Sequence, residues 1–197
     1  MKVDLRGRSA RIVGVRHGVA EAVGAAVAAT GAVVAWSEPG AGVEPPYLLV
    51  LSHDLAPPLT LEPRALTREA ERVAGAMKAA GGGRILHLVP ALALLPMRRH
   101  PEFSVAASLT PAAIRALAMN AAPQVLVNGL AVGAIGDAAA LAAGDDAMLS
   151  HVALGRSGTM EEVANAALFL LDPANTYMTG QVLAVDGGWT AGYARDF

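Results

Sequence analysis

GRSGTMEEVANAALFLLDPANTYMTGQVLAVDGG, residues 155–188, contains the start and stop of a helix followed by a turn and a short apolar strand. Thr159 and Glu162 predict a capping box, and the apolar residues that follow at helical spacing predict one buried face. Asp172-Pro173 predicts the end of the helix, and Val182–Val185 predicts the strand. A helix followed by an entirely apolar strand is typical of a parallel sheet covered by helices on both faces.

The pattern GRxGTxEEVAxAxLFLL, followed by YxTGQxLxVDGG, resembles the C-terminal end of short-chain dehydrogenases/reductases and aligns without gaps. This resemblance implies an α/β fold with a Rossmann-type doubly wound parallel sheet. It also implies a nicotinamide cofactor and a Ser-Tyr-Lys catalytic set. We therefore interpret residues 1–197 as a single domain of this type.

The composition excludes several classes of function. Hydrophobic residues make up 54% of the chain and the net charge is −2, which gives no basic footprint for nucleic acid or an anionic membrane. There is no cysteine, and the five histidines lack the spacing of metal ligands, so no metal site is expected. No apolar run is long enough to span a membrane, and we expect a cytoplasmic protein.

The N-terminal region predicts a strand, a glycine turn, a helix from residue 21 to 30 and a second strand, the context that a dinucleotide fingerprint requires. The family pattern is TGxxxGxG, of which Gly14 and Gly18 remain, whereas Val13 and Ala20 replace the other two signature residues. Glu38 falls where the family holds the adenosine ribose, so Gly14, Gly18 and Glu38 would form a vestigial cofactor site. The alternatives are glycines kept for a tight turn and a solvated glutamate. We expect no cofactor, with residual NAD(H) binding left open.

A strand-helix unit is missing after the second strand. The Gly- and Pro-rich residues 39–46 lead directly to the apolar run 47–51, which resembles the family's fourth strand. A parallel crossover usually needs a dozen or more residues and a helix. We therefore expect the fold to be truncated by about one strand-helix unit, with an unusual connector.

The resemblance places the family's catalytic serine, tyrosine and lysine on Pro90, Phe103 and Ala107, none of which can exchange a proton. The only lysines are Lys2 and Lys78, and no Tyr-xxx-Lys pair exists in any register. We therefore predict no catalytic residues at the family positions. Thr110-Pro111 predicts the start of a new helix, because proline disrupts a helix interior.

These losses favour a catalytically inactive subunit, a pseudoenzyme that assembles with an active paralogous dehydrogenase/reductase and supports it structurally. The family assembles through helices that correspond here to residues 67–80 and 110–121 and through the C-terminal strand region, so a homo-oligomer is also open. A second hypothesis is an NAD(P)-dependent oxidoreductase with relocated acid/base groups at His87, His100 or Glu102. A third is a non-catalytic module that binds a nucleotide or acyl ligand.

Overall fold

The computed structural model describes residues 3–42, 44–136 and 149–192. Six parallel strands form one sheet in the order β2-β1-β3-β4-β5-β6. The strands are β1 Ser9–Gly14, β2 Val33–Ser37, β3 Leu48–Ser52, β4 Gly83–Pro90, β5 Val125–Val132 and β6 Val182–Val185. The helices are α1 Gly18–Ala29, α2 Pro63–Ala79, α3 Pro101–Ala121 and α4 Met160–Leu171. The doubly wound α/β prediction is confirmed.

Two apolar clusters lie on opposite faces of the sheet. On one face α1 and α4 pack against the strands, and on the other α2 and α3 do so. Alternate residues of β3 belong to the two clusters, with Leu48 and Val50 on the first face and Leu49 and Leu51 on the second. All five residues of β3 are buried, as expected for a central strand covered on both faces.

The helix α4 begins as the sequence predicts. The Thr159 side chain accepts a hydrogen bond from the Glu162 N–H at 3.1 Å, and the Glu162 carboxylate accepts one from the Thr159 N–H at 2.8 Å. These reciprocal bonds satisfy two backbone donors that a helix start otherwise leaves free. Val163 and Ala167 then lie fully buried one turn apart, which fixes α4 against the sheet.

The direct connection from β2 to β3 is confirmed. Residues 38–47, which we call the strap, carry the chain from β2 past β1 to β3, because β1 lies between these two strands. The Gly40 N–H donates to Glu69 Oε2 at 3.0 Å, and Glu69 belongs to α2. The strap therefore crosses β1 on the face that α2 covers, and none of its described residues is helical.

A buried ion cluster holds the strap. Arg11 in β1 donates from Nη1 to the Ala41 carbonyl at 3.0 Å and lies 3.5 Å from the Glu69 carboxylate. Arg72 donates to the two Glu69 oxygens at 2.6 and 3.0 Å. Burial alone would raise the pKa of Glu69, but the Arg72 hydrogen bond, the Gly40 N–H and the two arginine charges together lower it. Glu69 is therefore a carboxylate, and its bonds join β1, α2 and the strap.

The prediction of a helix start at Thr110-Pro111 is wrong. The helix α3 runs continuously from Pro101 to Ala121, with Pro111 buried in its interior. One face of α3 buries Phe103, Ala107 and Ile114 against the sheet. This burial on both sides of the proline outweighs the one backbone hydrogen bond that a helical proline removes.

Candidate functional site

The carboxyl ends of parallel strands are where open α/β sheets bind ligands, so the residues after β1, β2, β3 and β4 form the candidate site. Gly14 and Gly18 follow β1, and Glu38 follows β2 directly. The structure thus brings the three predicted cofactor residues to the same end of two neighbouring strands. Glu38 itself is exposed.

Gly14 has a structural reason to be glycine. Its φ is +114°, which residues with a side chain rarely adopt, and a Cβ there would collide with the Ser52 carbonyl oxygen. The next residue, Val15, donates its N–H to the same oxygen at 2.8 Å. Close approach of the ends of β1 and β3 therefore requires Gly14, whether or not a ligand contacts it.

His17 caps the helix that follows this turn. Its Nδ1 accepts a hydrogen bond from the Ala20 N–H at 3.1 Å, so the ring proton lies on Nε2. Nε2 lies 3.1 Å from the His53 carbonyl and 3.0 Å from Ser52 Oγ, which itself donates to the Val15 carbonyl at 2.6 Å. Burial lowers the pKa of His17, and the hydrogen bond to His53 acts against that shift.

His17 is not among the site residues that the sequence predicts. The available signal is its position directly before the first residue of a helix, where a polar side chain can cap the free N–H groups. In this structure the cap ties the glycine turn to the end of β3 through Ser52 and His53.

The family's three catalytic positions lie in an apolar region. Pro90 ends β4 and is paired in register with Val132 of β5. Phe103 and Ala107, one turn apart on α3, are 5% and 4% exposed and belong to a cluster with Val89, Ala93 and Ala131. These three positions supply neither a hydroxyl nor a charge for proton transfer.

A buried histidine pair joins His53, the residue after β3, to His87 in the middle of β4. His53 Nε2 and His87 Nδ1 are 3.1 Å apart, and the two rings are stacked with centroids 5.4 Å apart. Burial lowers the pKa of His53 to about 4, with the Asp54 charge acting against it. Burial, and secondarily His53, lower the pKa of His87 far below its usual value. The pair is neutral near pH 7, and His87 Nε2 has no hydrogen-bond partner within the described residues.

His100 and Glu102, the other two candidates for a relocated acid or base, do not belong to this buried pair. His100 is the exposed residue before α3, and Glu102 is exposed in its first turn. As expected for adjacent residues of an extended chain, Ser52, His53 and Asp54 do not form a triad. Asp54 instead accepts hydrogen bonds from the Thr60 hydroxyl and from two backbone N–H groups of the following loop.

An open cleft near the carboxyl ends of the strands lies beside β5 and β6. This cleft of about 430 Å³ is lined by Ile135, Leu154 and Val185, together with Arg156 and Glu162. The two charged residues pair with each other at 2.7 Å. In residues 3–42, 44–136 and 149–192, no three His, Asp or Glu residues are grouped as a metal site would require. None of the helices in these residues is long and apolar enough to cross a membrane.

The fold, the glycine turn and the final helix-strand unit define a Rossmann-type α/β domain. Residues 60–190 match the family model described as enoyl-(acyl carrier protein) reductase. The chain belongs to the short-chain dehydrogenase/reductase family.

The curated relatives that the chain resembles include proteins named as dehydrogenases. The galactitol 2-dehydrogenase (L-tagatose-forming) of Cereibacter sphaeroides is 37% identical over 125 residues, 58% of this chain and 48% of that protein. The 7alpha-hydroxysteroid dehydrogenase of Escherichia coli is 32% identical over 124 residues, 60% of this chain and 49% of that protein. The chain spans about half the length of the curated relatives it matches.

Solved structures share the whole fold. A gluconate 5-dehydrogenase from Burkholderia cenocepacia in complex with NADP and tartrate aligns with a TM-score of 0.75 and 20% identity, covering 96% of this chain and 98% of that one. An Agrobacterium tumefaciens protein with bound NADP aligns with a TM-score of 0.81 and 24% identity, covering 95% and 98%. The expectation of no cofactor is contradicted by these findings, because the same fold holds NADP in both proteins.

Proposed function

We propose that this chain is a nicotinamide-dinucleotide-binding, non-catalytic subunit of a short-chain dehydrogenase/reductase assembly. The observation that carries the proposal is the apolar environment at the family's proton-transfer positions. Pro90, Phe103 and Ala107 have no ionisable or hydroxyl group, and the latter two are packed into a cluster that excludes water. A carbonyl reduction needs a proton donor at the substrate oxygen, and no such group is supplied there.

The residues at the end of β1 fit a dinucleotide. Gly14 allows a tight turn at the carboxyl end of β1. Gly18 places a residue without a side chain at the first position of α1. Pyrophosphate oxygens bind at such helix starts, where N–H groups point outward. When bound, the nicotinamide supplies hydride-transfer chemistry. His17 would hold the glycine turn in place, since its ring already joins the start of α1 to the end of β3.

The partner in this proposal is an active paralogue bound to the outer face of α3. Five exposed apolar residues follow one another along α3 at alternating spacings of four and three residues. These are Val105, Leu109, Ala112, Ala116 and Met119. Spacings of four and three place side chains in one stripe, the pattern that packs against another helix. Val105 is 67% exposed and Met119 is 76% exposed. Exposure of large apolar side chains in a continuous stripe favours a helical partner surface.

Co-expression tests the proposal. The chain is produced with each paralogue of its genome that keeps a complete Ser-Tyr-Lys set, and complexes are sized after affinity capture. We expect one paralogue to co-purify with this chain. The complex should be lost when Leu109→Glu and Met119→Glu are introduced together into this chain. Glu161→Lys, on the exposed side of α4, is the matched charge-change control and should leave the complex intact. A chain that never co-purifies with any complete paralogue would refute the subunit role.

The histidine pair supports a second candidate function, an NAD(P)-dependent oxidoreductase with a relocated acid or base. The supporting observation is the unpartnered Nε2 of His87, which lies within β4. The two candidates differ in the isolated chain. NAD(P)H-linked turnover that disappears in His87→Gln, while NADH still binds, supports the enzyme. Cofactor binding without turnover across a panel of carbonyl substrates supports the non-catalytic subunit.

A further inference from the structure

The outer edge of β2 is free along its length in the described part of the chain. β2 ends the sheet, with β1 on its one paired side. The strand Val33–Ser37 contains no lysine or proline, which are the residues that commonly protect an edge from pairing. Val33 is 71% exposed and Ala35 is also exposed, because the missing strand-helix unit leaves this end of the sheet uncovered.

The backbone groups that the edge presents follow from the pairing with β1. The Val33 N–H donates to the Arg8 carbonyl at 3.0 Å, so the backbone of Val33 faces β1. In a strand, alternate residues direct their N–H and C=O groups to the same side. Ala35 therefore also faces β1, whereas Val34 and Trp36 present two N–H and two C=O groups outward.

We propose that a second copy of this chain pairs antiparallel with this edge, about a two-fold axis at Ala35. Such a self-complementary arrangement is what a cyclic dimer requires. In this register Val34 of each copy lies opposite Trp36 of the other, and the outward groups form four interchain hydrogen bonds. Ala35 lies opposite Ala35 of the second copy as a non-hydrogen-bonded pair, with Cα atoms about 4.5 Å apart. Valine opposite tryptophan is a favourable cross-strand pair.

Charges at the two ends of β2 support an antiparallel copy. Arg6 lies against Gly31 just before the strand, and its side chain is 81% exposed. Its Nε and Nη2 donate to the Asp4 carboxylate of the same chain, which leaves Nη1 for a second carboxylate. Glu38 lies exposed just after the strand. Antiparallel pairing about Ala35 places Glu38 of each copy beside residues 31 and 32 of the other, next to Arg6. Arg6 then bridges Asp4 of its own chain and Glu38 of the other copy at both ends of the interface, whereas a parallel arrangement would place like charges together.

This dimer goes beyond the proposed subunit role and uses a different surface. The stripe on α3 belongs to the helix layer over the middle of the sheet, because α3 packs against β4 and β5. The β2 edge lies at the end of the sheet. Each interface can therefore be removed without touching the other.

Cysteine cross-linking tests the register, because the chain has no cysteine of its own. In the dimer the two Cα atoms of Ala35→Cys are about 4.5 Å apart. A disulfide accepts Cα separations of 4.4–6.8 Å. We expect mild oxidation to give a covalent dimer. Val33→Cys is the matched control on the same strand and face. Its two thiols would lie four residues out of register, about 13 Å apart along the strand, and should not link.

The effective concentration of the Ala35→Cys thiols in the dimer is expected to make linking at least about tenfold faster than for Val33→Cys. The double variant Val33→Cys with Ser37→Cys should link, because residues 33 and 37 face each other across the axis. Glu38→Arg should lower the dimer fraction in sedimentation, and adding Arg6→Glu should restore it. Circular dichroism checks that each variant is folded. Equal linking of Ala35→Cys and Val33→Cys, or a folded Ala35→Cys that stays monomeric, would overturn the proposal.

Discussion

Removal of the Glu69 carboxylate should weaken the whole N-terminal half of the sheet. In Glu69→Ala the Arg11 side chain, which is 9% exposed, loses its counter-charge, and the Gly40 N–H loses its acceptor. Loss of one partner from a buried ion pair typically costs about 3–5 kcal/mol. We expect about 3 kcal/mol, at the low end of that range, because the Arg11–Glu69 distance is long at 3.5 Å and Arg72 is 45% exposed.

Equilibrium urea unfolding at pH 7 measures this loss as a shift of the midpoint at constant slope. Glu69→Gln keeps an acceptor for Gly40 and should lose less, about 2 kcal/mol. Glu71→Ala is the control on the same helix, where the side chain is exposed, and should change stability by less than about 0.5 kcal/mol.

A double replacement separates the ion cluster from simple packing. Arg11→Met with Glu69→Leu removes both charges and leaves apolar side chains of similar size. Paired removal of buried charges is often neutral, so the double variant should lie within about 1.5 kcal/mol of the parent protein. The reasoning is refuted if Glu69→Ala loses less than about 1 kcal/mol, or if the double variant is as unstable as Glu69→Ala alone.

Three further predictions concern single side chains. Burial lowers the pKa of His53 to about 4 in the folded protein, against 6.5 for an unfolded histidine. Between these two values the unfolded state binds one proton more than the folded state. The free energy of unfolding should therefore fall as the pH drops from about 6.5 to 4. The loss per titrating histidine is at most about 1.4 kcal/mol per pH unit, and His53→Gln should reduce the slope measured by urea unfolding at several pH values. Thr159→Ala should lower stability by about 1 kcal/mol through loss of the α4 cap, seen as a lower melting temperature, whereas Glu161→Ala should not. Gly14→Ala should prevent a stable fold, because its Cβ would meet the Ser52 carbonyl; a normal melting curve for this variant would contradict the turn geometry.

The elements predicted best are those whose signals lie within a few residues of each other. The capping box of α4 lies within four residues, and the apolar run of β3 needs no partner to be recognised. Pro111 was misjudged because a local rule for proline was applied where burial of Phe103 and Ile114 decides the outcome.

The contacts that hold the strap and the candidate site together join distant residues. Arg11 and Glu69 lie 58 positions apart, and His53 and His87 lie 34 apart. No local pattern pairs such residues, so the sequence could identify His87 as a candidate without identifying its neighbour. The same limit applies to His17, whose cap was recognisable in principle but whose bonds to Ser52 and His53 were not.

The strap also constrains the order in which the nascent chain can assemble. Arg11 leaves the ribosome with β1, yet the carboxylate that neutralises it follows 58 residues later on α2. Until that segment has been synthesised, a cation destined for the interior has no counter-ion, which disfavours early burial of the first three strands. Docking of α2 therefore completes the N-terminal half of the sheet in one step, so that translation must pass residue 69 before this half can become protease-resistant.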